Sequence, residues 1–266
     1  VSVEAPGAGF ASVAFNGQVL TMLREGSRFF TILGLDALTP LGPLPVIISV
    51  ADAAGVPVVR RETIIDVRDS QWQTEVVELD DENRALLDSA IIKEDLDARD
   101  PIVRQETPER LWDDIFDPPA KGVITSGYGL LRSYNFREPT EYHSGLDFAG
   151  ALGDPIVAPN TGIVAWAGHT RRRGTSLIVD HGGGVYSGFY HLSDSVVAPG
   201  EVVRMGDFIG RIGATGLSTG PHLHWEVTVH GITVNPVQWI RANDFPDPFE
   251  EFDPLTALPE VIQFAN

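Results

Sequence analysis

The residues able to do chemistry begin with Gly220-Pro221-His222-Leu223-His224-Trp225-Glu226-Val227. Read as a strand, this stretch divides by parity. Leu223, Trp225, Val227 and Val229 face one way, and His222, His224, Glu226 and Thr228 the other. The first set is a core face. The second carries two imidazoles about 7 Å apart along the strand. Both can turn into one site, and only one of them need bind a metal. A second candidate is Tyr142-His143-Ser144-Gly145-Leu146-Asp147-Phe148, where His143 and Asp147 share one face of an extended chain and Leu146 and Phe148 take the other. A third histidine lies in Gly188-Phe189-Tyr190-His191-Leu192. His143, Asp147 and His224 then make three nitrogen and oxygen ligands, with His191 and His222 left over. Three protein ligands and one open position is the pattern of a catalytic zinc site, whereas structural sites are closed by four. An N,N,O set suits Zn²⁺ better than Ca²⁺ or Mg²⁺, which prefer oxygens. His169, His181 and His230 fall at turns or strand ends and read as surface or capping groups.

The elements that must position these residues are mostly strands. Residues 1–79 read as a small β-sandwich-like accessory domain. Val46–Asp52 is a buried-type strand, Val58–Val67 and Gln71–Leu79 follow it, and Gln18–Leu23 and Ser27–Leu33 flank a hairpin at Arg24-Glu25-Gly26. Residues 80–119 read as a helix and linker. Asp80-Asp81-Glu82 opens an amphipathic helix carrying Leu86, Leu87, Ile91, Ile92 and Leu96, and Asp100-Pro101 ends it. Residues 120–242 are β-rich and dense in glycine, and contain an internal echo. Gly153-Asp154-Pro155-Ile156-Val157 with Gly162-Ile163-Val164 returns as Gly200-Glu201-Val202-Val203 with Gly206-Asp207-Phe208-Ile209. Echoed β-turn-β units fold a sheet back on itself. The acidic tail 243–266 is expected to be pinned to the body by Phe245, Phe249, Phe252 and Phe264.

Composition narrows the function classes. The chain has 266 residues, is 43% hydrophobic and contains no Cys. This excludes thiol catalysis, Cys-type zinc sites and disulfides. The formal charge is −18, yet residues 119–242 hold nine acids and nine bases, so the excess lies in the flanks. An acidic exterior argues against nucleic acid as a partner. No apolar run is long enough for a transmembrane helix. Val1-Ser2-Val3-Glu4 lacks the basic start and apolar run of a signal peptide, so a signal or anchor segment is expected upstream, outside this sequence.

His143-xxx-Asp147, Tyr190-His191-Leu192 and Ser218-Thr219-Gly220-Pro221-His222-Leu223-His224-Trp225-Glu226-Val227 together resemble the lysostaphin-type, LytM-like zinc metallo-endopeptidases. Thr125-Ser126-Gly127-Tyr128-Gly129, Gly162-Ile163-Val164 with Ala167-Gly168, and Val234-Asn235-Pro236 support the likeness, which runs from about Gly122 to Ile240. The resemblance implies one Zn²⁺ per chain on His143, Asp147 and His224, and catalytic roles for His191 and His222. It also implies an antiparallel β-sheet domain with a groove. The substrate would be the peptide part of bacterial peptidoglycan, stem peptide or cross-bridge, which places the protein outside the cytoplasmic membrane, periplasmic or extracellular. Tyr134, in the loop before His143, is a further candidate for steadying an oxyanion, and Glu226 for orienting a ligand. The loop His169-Thr170-Arg171-Arg172-Arg173-Gly174-Thr175 departs from the family's Gly-rich turn and bears on subsite preference.

Two other readings are weighed. Relatives that have lost their ligands serve as regulatory or binding modules, but all five positions are present here. A lipoyl- or biotinyl-type carrier needs a hairpin Lys between the echoed repeats, and the only lysines are Lys93 and Lys121. A latent enzyme is a variant of the main reading, with Asp36 in Gly34-Leu35-Asp36-Ala37 covering the groove.

Overall fold

A computed structural model describes residues 1–113 and 115–240, so the expected docking of the tail lies outside the described residues. The chain is mainly β, in antiparallel sheets, and forms two compact units.

The first unit comprises Val1–Gly34 and Leu38–Gln71. Its strands are β1 (Ser2–Glu4), β2 (Phe10–Phe15), β3 (Gln18–Thr21), β4 (Leu23–Glu25), β5 (Arg28–Phe30), β6 (Gly42–Ala51) and β7 (Pro57–Val67). They form two antiparallel sheets, in the orders β1-β5-β4 and β3-β2-β6-β7. Alternate residues of β2 (Ala11, Val13, Phe15) and β6 (Val46, Ile48, Val50) are buried, as a half-covered sheet requires. The expected hairpin is present, but its first strand begins at Leu23. Gln18–Thr21 instead pairs with β2 across Asn16-Gly17, both with positive φ (45° and 77°). An Asn-Gly pair is the sequence signal for that two-residue turn.

Of the described residues, the second unit comprises Leu35–Ala37 and those from Trp72 to Ile240. It opens with β8 (Thr74–Val77), α1 (Asp81–Ala85) and α2 (Ser89–Val103). Then come β9 (Ile124–Ser126), β10 (Leu131–Tyr134), β11 (Glu141–Tyr142), β12 (Leu146–Ala149), β13 (Pro155–Val157), β14 (Gly162–Thr170) and β15 (Gly174–Gly182). The last strands are β16 (Val185–Leu192), β17 (Asp194–Ser195), β18 (Val202–Val203), β19 (Phe208–Arg211), β20 (His222–Val229) and β21 (Ile232–Val234). The main sheet runs β18-β14-β15-β16-β20-β12-β9, with β21 also on β20. The echoed segments are each other's partners: β13 pairs with β19, and β14 with β18. Strand β8, expected in the accessory domain, pairs in parallel with β10, Arg132 lying opposite Glu75.

The expected single helix is two. Asp80 caps α1 by accepting from Asn83 N at 2.8 Å, and Asp88 caps a fresh start by accepting from Ala90 N at 2.8 Å. Leu86 and Leu87 fall in the break between. Pro101 does not end α2, which continues to Val103, with Arg104 N donating to Asp100 O. The buried face of α2 is not its apolar one. Asp95, Arg99 and Val103 are buried, while Leu96 is exposed. Val103 packs on Ile178 and Tyr186 of the main sheet. No helix among the described residues is long and apolar enough to cross a membrane.

Candidate metal centre

The register of three neighbouring strands gathers most of the site. Asp147 on β12 lies directly opposite His224 on β20, and His224 lies opposite Tyr190 on β16. Ser126 on β9 completes the row beside Asp147. Cross-strand neighbours share a face, so one row of the sheet brings carboxylate and imidazole together. His143 joins them from just before β12. Its backbone is fixed in both directions, His143 N donating to Leu130 O and Gly129 N to His143 O, each at 2.8 Å. Gly145 lets this segment lie close to β20: a Cβ there would stand 2.3 Å from the Trp225 carbonyl oxygen and 2.9 Å from His224 Cε1.

Three donor atoms converge. His143 Nε2 is 2.9 Å from Asp147 Oδ1 and 2.9 Å from His224 Nδ1, and His224 Nδ1 is 2.7 Å from Asp147 Oδ1. The remaining ring nitrogens are committed elsewhere. His143 Nδ1 donates to Gly127 O at 2.8 Å, and His224 Nε2 lies 3.3 Å from Glu226 Oε1. Three lone pairs therefore point at one place, an unfavourable arrangement unless a cation or a proton sits among them. A tetrahedral zinc, with bonds of about 2.0–2.1 Å, sets its ligands roughly 3.3 Å apart, so this triangle need open only by about half an ångström. The N,N,O donor set and its tautomers fit a divalent metal. Among the described residues, His143, Asp147 and His224 are the group of His and carboxylate side chains so placed.

The charges agree with this. Burial opposes ionisation of Asp147, but His143 and His224 outweigh it and hold the carboxyl well below its usual range. Burial lowers His143, which stays neutral. For His224, burial is outweighed by bonding to Asp147 and Glu226, and its pKa is raised.

His191 and His222 stand beside the triangle. Their ring centroids are 4.8 Å apart, His191 is 6.0 Å from His224, and His222 Nε2 is 3.9 Å from Asp147 Oδ1. His191 Nδ1 donates to Thr215 O and His222 Nδ1 to Gly220 O, both at 2.8 Å, so each keeps Nε2 free. Strict alternation would send His191 to the opposite face from Tyr190. Its φ of +62° breaks the strand there. That conformation costs a non-glycine residue about 1–3 kcal/mol and is typical of functional positions. Burial, then His222 and His224, lower its pKa to about 3.

The other expectations fare differently. Tyr134 lies at the end of strand β10, not in a loop. Burial, then Glu141, raise its hydroxyl's pKa while Arg172 and Arg132 oppose them, and Arg172 is ion-paired to Glu141. Glu226 does reach a ligand, as expected. The basic loop is not a free basic patch, because each arginine has an acid: Arg171 pairs with Glu94, Arg172 with Glu141, and Arg173 with Asp95 and Glu226. His181 and His230 are buried, not surface groups. His181 Nδ1 donates to Thr161 O at 2.8 Å and its Nε2 lies 2.9 Å from Ser187 Oγ. His169 is exposed, as read. Sequence reasoning missed Glu75, Asp95, Arg99, Arg132 and Arg173, which form ion pairs behind Asp147 and Glu226. The spacing of Asp95, Arg99 and Val103 on one helical face was the available signal.

Comparison with known proteins agrees with this geometry. Residues 141–236 match the sequence profile of Peptidase family M23. A stretch of 114 residues is 38% identical to the DD-carboxypeptidase/endopeptidase Mpg of Neisseria meningitidis, covering 43% of this chain and 26% of that protein. Another of 124 residues is 33% identical to the peptidoglycan DD-endopeptidase ShyA of Vibrio cholerae, covering 47% and 28%. The match thus spans about a quarter of these relatives' own length. A Pseudomonas aeruginosa crystal structure assigned to peptidase M23 superposes with a TM-score of 0.66 at 29% identity, over 89% of this chain and 90% of that one. The two histidines and the aspartate of the triangle all lie inside the stretch, residues 141–236, that carries the match to peptidase family M23.

Proposed function

We propose that this protein is a zinc-dependent endopeptidase that hydrolyses peptide bonds in bacterial peptidoglycan, in the stem peptide or the cross-bridge. One observation carries the reading: three convergent donor atoms stand beside two histidines whose free Nε2 atoms border the same space. The relative named as a peptidoglycan DD-endopeptidase, ShyA, supports the substrate class. Such a substrate implies work in the cell envelope, outside the cytoplasmic membrane.

His143 Nε2, Asp147 Oδ1 and His224 Nδ1 would hold the metal. A zinc ion there supplies Lewis-acid polarisation of the scissile carbonyl and a water acidified toward neutrality. The chain does the proton work. His191 and His222 each have Nδ1 tied to a carbonyl, so proton transfer is confined to Nε2. Burial keeps His191 neutral at working pH, so its Nε2 carries a lone pair, and a negative charge developing beside it would be needed to strengthen it as a base. The pair divides two tasks, taking a proton from the attacking water and giving one to the leaving amine.

Latency is the second reading, and one observation favours it. Leu35–Ala37 belongs to the unit that holds the site, tied there by Trp72 Nε1 donating to Ala37 O at 3.0 Å. Asp36 adds to the burial that raises Tyr142, the residue before His143. The test is digestion of purified peptidoglycan with mass analysis of the released peptides, using His222→Ala as the inactive control. Release of peptides by the wild type but not by the control is expected. If Asp36→Ala digests faster than wild type, the protein is latent. No release by wild type or by Asp36→Ala would remove the endopeptidase reading.

A further inference from the structure

Each of two ligands of the proposed metal site leans on a chain of buried and half-buried charges that begins far upstream of residues 141–236. Behind Asp147, the free carboxylate oxygen Oδ2 lies 3.5 Å from Arg132 Nη2. Arg132 is ion-paired through Nη1 to Glu75, the residue directly opposite it on β8. Ser126 Oγ closes this group, donating to Glu75 Oε2 at 2.8 Å, accepting from Arg132 Nη2 at 3.1 Å and lying 3.3 Å from His143 Nδ1.

Behind His224, the partner of Nε2 is Glu226, which is 0% exposed. A bare carboxylate at that depth would cost several kcal/mol. Two arginines offset the cost, Arg173 Nη1 at 2.8 Å from Oε1 and Arg99 Nη2 at 3.4 Å from Oε2. The two guanidiniums flank both carboxylate oxygens of Glu226. Each arginine is held in turn. Asp95 of α2 accepts from Arg173 Nε at 2.7 Å and from the Thr170 hydroxyl. Arg99, one helical turn on, donates to Thr228 Oγ1 at 3.0 Å and Asp100 Oδ1 at 2.9 Å. The face of α2 that amphipathic patterning would leave in water is the one that reaches under the ligand strand.

Resting on the zinc reading above, we propose that Glu75, Asp95 and Arg99 are positioning residues of the metal centre. Strand β8 and helix α2 are then part of the site rather than linker. Glu75 acts through Arg132 on Asp147. Asp95 and Arg99 act through Arg173 and Glu226 on His224, fixing its Nε2 as the donor to Glu226 and so turning the Nδ1 lone pair to the metal. Partners of this kind typically change metal affinity by about 10–100-fold. The matched domain excised near residue 119 would lack all three.

The test measures zinc dissociation constants by chelator competition, and the visible spectrum of the Co²⁺-loaded protein, on the full chain. Asp95→Asn and Glu75→Gln preserve shape and keep a folded protein to measure if Arg99→Met does not fold. Expected are Kd values raised about 10–100-fold and altered Co²⁺ bands in protein whose near-ultraviolet circular dichroism is unchanged. Arg99→Lys should recover part of the loss relative to Arg99→Met. Glu94→Gln, on the same helix but paired with exposed Arg171, should match wild type. A network that only supports the fold would move the melting temperature and leave Kd and bands alone, which overturns the proposal. If wild type itself takes up no zinc, the proposed function falls and this inference with it. If wild type binds and Asp95→Asn, Glu75→Gln and Arg99→Met bind equally well, only this inference falls.

Discussion

His191 and His222 offer the same ring nitrogen to the site by different routes, and that separates them from the ligands in a measurable way. His222 comes from the ligand strand with its Nδ1 held by the turn before it; His191 comes from a left-handed residue at the end of β16. Neither belongs to the triangle of atoms that lie within 4.8 Å of one another. His222→Ala should therefore lower kcat by about 10²–10⁴, the usual worth of a general acid or base, and leave zinc content near one per chain. His224→Ala should lose the metal. Metal analysis beside turnover checks this, and loss of zinc from His222→Ala would make it a ligand. Tyr134→Phe should cost far less than His222→Ala, because Tyr134 sits with Arg172 and Glu141. His143, Asp147, His222 and His224 were legible in the sequence because parity places them on faces, whereas His191 was named through the resemblance of Tyr190-His191-Leu192 and reaches the site against parity. The residues behind them were not legible. Asp95 and Arg99, four apart on a helix, read equally well as a solvated pair, and only the approach of Arg173 and Glu226 from distant strands makes them buried.

At the scale of elements, the site is a consequence of register. A one-residue slip of β12 against β20 would send Asp147 to the opposite face from His224. Gly145 guards that register, since any side chain there meets backbone at 2.3 Å. Gly145→Ala should push β12 from β20, costing about 1–3 kcal/mol as overpacking does, and should weaken zinc binding as well. Urea unfolding and chelator competition measure the two. A variant of wild-type stability that binds zinc normally would show that His143 is placed by its bonds to residues 129 and 130 alone. The strands β6, β7 and β20 were readable because alternation or continuous apolar runs mark them locally. The partner of β8 was not, because a parallel pairing across more than fifty residues leaves no local trace. The break at Asp88 was hidden because a capping aspartate looks like one more helix acid until its bond to Ala90 N is seen.

For the whole molecule, the formal charge of −18 hides an internal balance around the peptidase domain. The acids of α2 answer the arginines of the 171–173 turn, so part of the acidic flank is structural rather than a solubilising coat. Stability against pH should instead be governed by histidines buried neutral. His181 is the cleanest case, lying away from the metal triangle and edge-on to Phe116 at 4.8 Å. Burial lowers its pKa from 6.5 to about 4. As pH falls from 6.5, the unfolded chain takes up a proton on this residue that the folded chain refuses. The stability it contributes is therefore complete above pH 6.5 and lost progressively down to about pH 4. Linkage puts the loss at about 2.5 kcal/mol by pH 4.5. His143, His191 and His230 are lowered too and add slopes of the same sign. Urea unfolding of chelator-treated protein at pH 7 and pH 4.5 isolates the effect from metal release. His181→Gln should be less stable than wild type at pH 7, yet lose about 2.5 kcal/mol less on acidification. Parallel losses in the two proteins would mean that His181 is charged in the folded state, with Ser187 Oγ accepting from Nε2.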